Sequence, residues 1–134
     1  MGTSRHIPMH ARIDVERAGR AARELAHHLE FGPEAAESVT LATIELATNL
    51  LRYAQAGVIL LTPIEGEHGA GIRLESHDEG PGIDDLVRAM EDGFSTGGGM
   101  GSGLPGVRRL MDSFTVASDG DGTRVVACKW RKGR

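Results

Sequence analysis

The sequence predicts an α+β fold, a two-layer sandwich in which helices cover one face of a mixed, mostly antiparallel sheet. Two long helical periodicities come before the first strong strand pattern, and two hairpin patterns follow them. The elements do not alternate strand with helix as a doubly wound parallel sheet would. With 134 residues and 40% hydrophobic content, the chain can bury one core but not two, so residues 1–134 read as a single domain.

Residues from about Arg5 to Ile13 alternate loosely and predict an edge strand, where Pro8 does least damage to a hydrogen-bonded ladder. Asp14 is the expected cap of a first helix. Its apolar residues Val15, Ala18, Ala22, Leu25, Ala26 and Leu29 recur at helical spacing as far as Phe31-Gly32, where glycine supplies the stop. Pro33 opens a second helix with Val39, Leu46, Leu50 and Tyr53 near one stripe. That helix ends before Gly57, where Val58-Ile59-Leu60-Leu61 takes over as a strand. The turn-rich residues Glu65 to Gly71 and the alternating Ile72 to Glu75 read as a hairpin, with Asp78 just past its second strand.

Beyond it, Asp84 can cap a short helix built on Leu86, Val87 and Met90. Glu91 to Gly103 carries glycine and small polar residues with almost no core material, the composition of a lid. Leu104 and Pro105 open a further helix, with proline in the first turn and Val107, Leu110 and Met111 as its apolar face. Phe114 to Ser118 and Thr123 to Trp130 then flank the turn Asp119-Gly120-Asp121-Gly122 as a terminal hairpin.

A formal charge of -4 supplies no basic field for a nucleic-acid backbone, and no Lys or Arg cluster is interleaved with aromatics. The short basic tail from Lys129 to Arg134 reads as a solvated terminus. Cys128 is the single cysteine, which leaves no disulfide framework and no thiolate zinc site. No apolar run approaches the ~20 residues that cross a bilayer, and the N-terminus lacks a signal-peptide core. The cytoplasm is therefore the expected compartment. The six histidines are scattered without ligand spacing and read as structural or surface residues.

Two glycine-rich runs carry chemistry: Asp78-Glu79-Gly80-Pro81-Gly82-Ile83, and Gly97 to Gly106. A carboxylate beside turn glycines can read a base edge, and a glycine string opening a helix presents bare N–H groups to anionic oxygen. Gly101 to Gly106 formally matches the dinucleotide fingerprint, but no strand precedes it and too little chain follows for that fold. The P-loop pattern is absent. Glu45 and Asn49 stand one turn apart with Arg52 three residues on, sharing one helix face. Such a face is either a solvated surface or a proton acceptor beside a hard oxygen ligand for Mg2+. No Lys or Arg lies between Arg88 and Arg108, so backbone amides and a metal must answer a triphosphate's charge. Arg52, Arg108 and Arg109 are either phosphate contacts or exposed, ion-paired arginines.

Taken together, Glu45-Leu46-Ala47-Thr48-Asn49, Asp78 to Gly82, Gly99-Met100-Gly101-Ser102-Gly103-Leu104 and Gly122-Thr123 resemble the N, G1, G2 and terminal Gly-Thr boxes of the GHKL ATPase/kinase superfamily, whose fold is the Bergerat type. Met90 to Thr96 and Gly103 to Asp112 resemble the RsbT-type switch kinases within it. The resemblance implies Glu45 as general base toward a protein hydroxyl, Asn49 as the Mg2+ ligand and Asp78 as acceptor of the adenine amino group. Gly82 and Thr123 would support adenine, Gly99, Gly101 and Gly103 would line the phosphates, and Gly80 and Leu104 complete the ATP-binding set. It further implies a serine/threonine protein kinase acting on a STAS-domain partner in a bacterial stress-signalling, partner-switching module. Such a kinase then binds and activates a downstream effector, such as a PP2C-type phosphatase. An anti-sigma factor with kinase activity and a nucleotide-dependent binding module are the alternatives. A monomer is expected.

Overall fold

The computed structural model describes residues 3–53, 57–67, 69–78, 103–119 and 122–131. In chain order the elements are β1 (Arg5–Pro8), α1 (Arg12–His28), α2 (Pro33–Tyr53), β2 (Gly57–Gly66), β3 (Gly69–Asp78), α3 (Leu104–Leu110), β4 (Ser113–Asp119) and β5 (Gly122–Trp130). The expected short helix after Asp84 and the lid up to Ser102 lie outside the described residues.

The strands form one sheet in the order β1-β2-β3-β5-β4, so the α+β reading holds. One detail is corrected: among the described residues the sheet is not mixed, because all four pairings are antiparallel. The terminal hairpin places its second strand, β5, against β3 and leaves β4 outside. A crossover from β3 to an adjacent β4 would have created a parallel pair.

Strand periodicity divides the sheet into two faces. Ile59, Leu61, Ile72, Leu74, Val125 and Ala127 point inward, all buried, beneath Val39, Leu46 and Leu50 of α2. Ala18, Ala22 and Ala26 of α1 join the same core. Their small side chains let the two helices approach closely, and at Gly19 an added Cβ would sit 3.0 Å from Ile44 Cγ1. On the open face, the Trp130 ring covers the β2–β3 hairpin. A Cβ at either Gly66 or Gly71 would fall 2.5 Å from that ring.

Helix α1 begins earlier and ends sooner than periodicity suggests. Asp14 is not the N-cap residue: Ala11 is. Asp14 stands three residues on, where its carboxylate accepts the backbone N–H groups of His10 at 2.9 Å and Ala11 at 3.0 Å. Those two bonds lower its pKa and satisfy donors the helix cannot. At the far end Glu30, with φ 63°, takes the left-handed turn expected of Gly32. Phe31 N–H then reaches Ala26 O at 2.9 Å and Glu30 N–H reaches His27 O at 3.0 Å, the paired bonds of a Schellman stop. Pro33 opens α2 as expected.

The β2–β3 hairpin is tighter than its turn-rich sequence implies, since the strands run on until Gly66 pairs with Gly69. Asp78 is the last residue of β3 rather than a residue beyond it. The basic tail is also corrected. Lys129 belongs to β5, its side chain only 18% exposed, donating to Leu110 O at 3.1 Å and pairing with Asp112 at 3.5 Å. Arg131 donates to Leu29 O at 3.2 Å, so the tail's start is tied to two loops.

Candidate active site

Helix α2 sets the position of the first two candidates. Leu46, Ala47 and Leu50 turn into the core, which leaves Glu45 and Asn49 half-buried at its border and Arg52 exposed near the helix end. Asn49 lies against Gly103, where an added Cβ would stand 3.6 Å from Nδ2 and 3.8 Å from Oδ1. Gly103 has φ 67° and ψ -131°, a conformation open essentially to glycine alone. Its carbonyl accepts the N–H of Gly106 at 3.0 Å and of Val107 at 3.2 Å, so the close approach to Asn49 and the start of α3 are made by one residue. Leu104 is buried in the core at 6% exposure. Any ligand contact it makes in this arrangement is through its backbone. Arg108 and Arg109 are exposed toward the end of α3.

Asp78 reaches the same end of the molecule along a different route. Leu50, the neighbour of Asn49, sits over Gly57, whose added Cβ would meet Leu50 Cδ2 at 2.7 Å. Gly57 pairs with Asp78 across β2 and β3, and Asp78 pairs with Thr123 across β3 and β5. Thr123 N–H donates to Asp78 Oδ1 at 3.2 Å, while the Thr123 hydroxyl lies 3.2 Å from that of Ser118. Asn49, Gly103, Asp78 and Thr123, separated by up to 74 residues in the numbering (123 − 49), therefore gather at one end of the sheet, with Glu45 one helical turn away. Gly80, Gly82, Gly99 and Gly101 lie outside the described residues.

This set holds oxygen acceptors, an amide and a carboxylate, and no thiolate or imidazole. A carboxamide oxygen suits a hard divalent cation such as Mg2+. An ionised carboxylate, acceptor-only, suits the exocyclic amino group of adenine.

Sequence reasoning missed a second cluster, on the open face of the sheet beside this end. Glu75 is buried, its side chain 5% exposed. Oε2 accepts Arg73 Nε at 2.8 Å, and Oε1 accepts both His77 Nε2 at 2.9 Å and Arg124 Nη2 at 3.1 Å. Burial pushes the carboxyl pKa up, but hydrogen bonds from His77, Arg73 and Arg124 outweigh it and hold the group at about 2. Glu75 is thus ionised and can only accept, which makes His77 Nε2 the donor. The alternation Arg73-x-Glu75-x-His77 was a signal for shared facing, though not for the arrival of Arg124.

The chain resembles known proteins over most of its length. The histidine kinase-like ATPase domain family matches residues 8–129. The serine/threonine-protein kinase RsbT of Bacillus subtilis (strain 168) is 43% identical over 118 residues, 87% of this chain and 89% of RsbT. Among solved structures, the SiaB-SiaC complex of Pseudomonas aeruginosa contains a chain of similar fold. Its TM-score is 0.62 at 16% identity, covering 95% of this chain and 88% of that one. The histidine kinase domain of the Erythrobacter litoralis EL346 blue-light activated histidine kinase matches with TM-score 0.52 at 23% identity, over 88% of this chain and 61% of that one. The chain belongs to the histidine kinase-like ATPase family, of the GHKL type, in the branch that holds serine/threonine-protein kinases.

Proposed function

We propose that this kinase uses ATP and Mg2+ to phosphorylate a serine or threonine of a STAS-domain protein in a cytoplasmic, bacterial stress-signalling module, acting as a monomer. The observation that carries the reading is the convergence of Glu45 and Asn49 on α2 with Gly103 and the Asp78–Thr123 pair. Asp78 and Thr123 hold the adenine, and Gly80 and Gly82 complete that end. Gly99, Gly101, Gly103 and the Leu104 backbone line the phosphates, with Arg52 as the side-chain phosphate contact. The place of Asn49 beside Gly103, whose left-handed backbone suits glycine, supports Asn49 as the Mg2+ ligand. Mg2+, when bound, neutralises charge on the phosphate oxygens.

The acceptor hydroxyl attacks the γ-phosphorus as its proton passes to Glu45, and the bond to the bridging oxygen breaks to release ADP. Such transfer depends mainly on positioning and electrostatics, which a small site can supply. Once the phosphorylated partner lets go, the kinase binds and activates a downstream effector of the PP2C-phosphatase type. Similarity to RsbT over nearly the whole chain supports this switch-kinase reading over a generic ATPase.

The test is transfer itself. Incubation with ATP, Mg2+ and STAS-domain proteins is expected to add one phosphate, read by intact mass. No product across STAS proteins from the same organism would contradict the substrate assignment.

A further inference from the structure

We propose that Glu75 and Arg124 form a positioning pair that holds the start of β5 against β3 and thereby sets the selectivity for adenine. The inference rests on Asp78 as the adenine reader. Thr123, whose N–H donates to Asp78 Oδ1, is only the second residue of β5, and strand ends are where ladders open first. Immediately beyond it Arg124 crosses to Glu75 Oε1, 49 residues away in sequence. In register, His77 faces Arg124 and Asp78 faces Thr123. The charged tie therefore lies diagonally across the two strands, one residue pair before the contact that fixes Asp78.

Arg124 is 60% exposed, and an exposed ion pair ordinarily contributes little. Here the acceptor is a buried carboxylate shared by three donors, so losing one donor leaves charge inside the sheet less well answered. The two oxygens also divide the work. Oε1 takes His77 and Arg124, the donors toward the adenine end, whereas Oε2 takes Arg73, whose own register partner is Cys128. Arg73 supports the carboxylate from the opposite side and bonds the oxygen that Arg124 does not.

This asymmetry separates positioning from general stability. ADP and inosine diphosphate differ along one base edge: adenine offers Asp78 a 6-amino donor beside an acceptor N1, whereas hypoxanthine carries a 6-oxygen beside an N1–H. The ratio of their affinities, measured by calorimetry with Mg2+ well below the melting temperature, reports how Asp78 is placed against that edge. Arg124→Gln is expected to reduce the ADP preference about tenfold, as for loss of a hydrogen bond to a charged group, and Arg124→Lys to restore part of it. Arg73→Gln is expected to lower the melting temperature and leave the preference unchanged. A preference retained by Arg124→Gln, or lost equally in Arg73→Gln, overturns the positioning role alone. Absence of any ADP preference in the wild-type chain overturns the Asp78 assignment and the inference with it.

Discussion

Glu45 and Glu75 are both glutamates at the edge of a packed layer, yet their surroundings give them different work. Glu45 is half-buried on α2, partly open to solvent, as the proposed proton acceptor must be. Glu45→Gln removes the acceptor without altering shape, so phosphate transfer should fall by about 10²–10⁴-fold while ADP affinity stays near wild type. Single-turnover transfer and equilibrium binding measured side by side check this, and undiminished transfer would remove Glu45 from its role. Glu75 is locked among cations and titrates at about 2 rather than the usual 4.5. A depressed carboxylate pKa stabilises the fold above its unfolded-state value and loses that contribution as pH falls toward the folded value. The stability gap between the wild type and Glu75→Gln should therefore be full at neutral pH and narrow between about pH 4.5 and 2. Urea midpoints across that range give the answer, and a gap independent of pH would mean that packing rather than charge holds the site.

At the scale of elements, the strongest periodic segments were legible, as were the starts of α2 and α3, whereas the ends of α1 were not. Val39, Leu46 and Leu50 announce α2 because a buried face needs apolar residues every third or fourth position. The end of α1 depends on which residue accepts a left-handed turn, and Gly32 looked the natural choice. Burial of Phe31, at 8% exposure, demands the turn two residues earlier, so Glu30 takes it at φ 63°. That conformation is unfavourable for any residue with a Cβ. Glu30→Gly should consequently stabilise the protein by about 1 kcal/mol, seen as a raised urea midpoint at unchanged slope. A lowered midpoint would show that the glutamate side chain contributes more than its backbone costs. The same distinction explains the two clusters. Glu45, Asn49 and Asp78 sit in short contiguous motifs, whereas Arg124 meets Glu75 only because β5 inserts beside β3. A bond between residues 49 apart leaves no local signature.

Across the whole molecule, the candidate site is assembled from both layers. Asn49 and Glu45 come from α2, Gly103 from the start of α3, Asp78 from β3 and Thr123 from β5, and they share an end only when helices and sheet are docked. A nucleotide bound there spans α2, α3, β3 and β5 together, and the unfolded chain offers it no site. Ligand that binds only the folded state stabilises it by mass action, by about 2.7 kcal/mol at a hundredfold excess over Kd. For a domain of 134 residues this corresponds to a rise in Tm of roughly 10 °C. ADP with Mg2+ should produce that shift in the wild type, and removing Mg2+ with a chelator should reverse part of it. Asp78→Asn keeps an acceptor for Thr123 N–H but turns an acceptor-only group into one that also donates, against the amino group of adenine. Most of the shift should then disappear while the melting temperature without nucleotide changes little. If Asp78→Asn instead retains the full ADP shift, adenine is read elsewhere, and the convergence of α2, β3 and β5 serves the fold rather than the nucleotide.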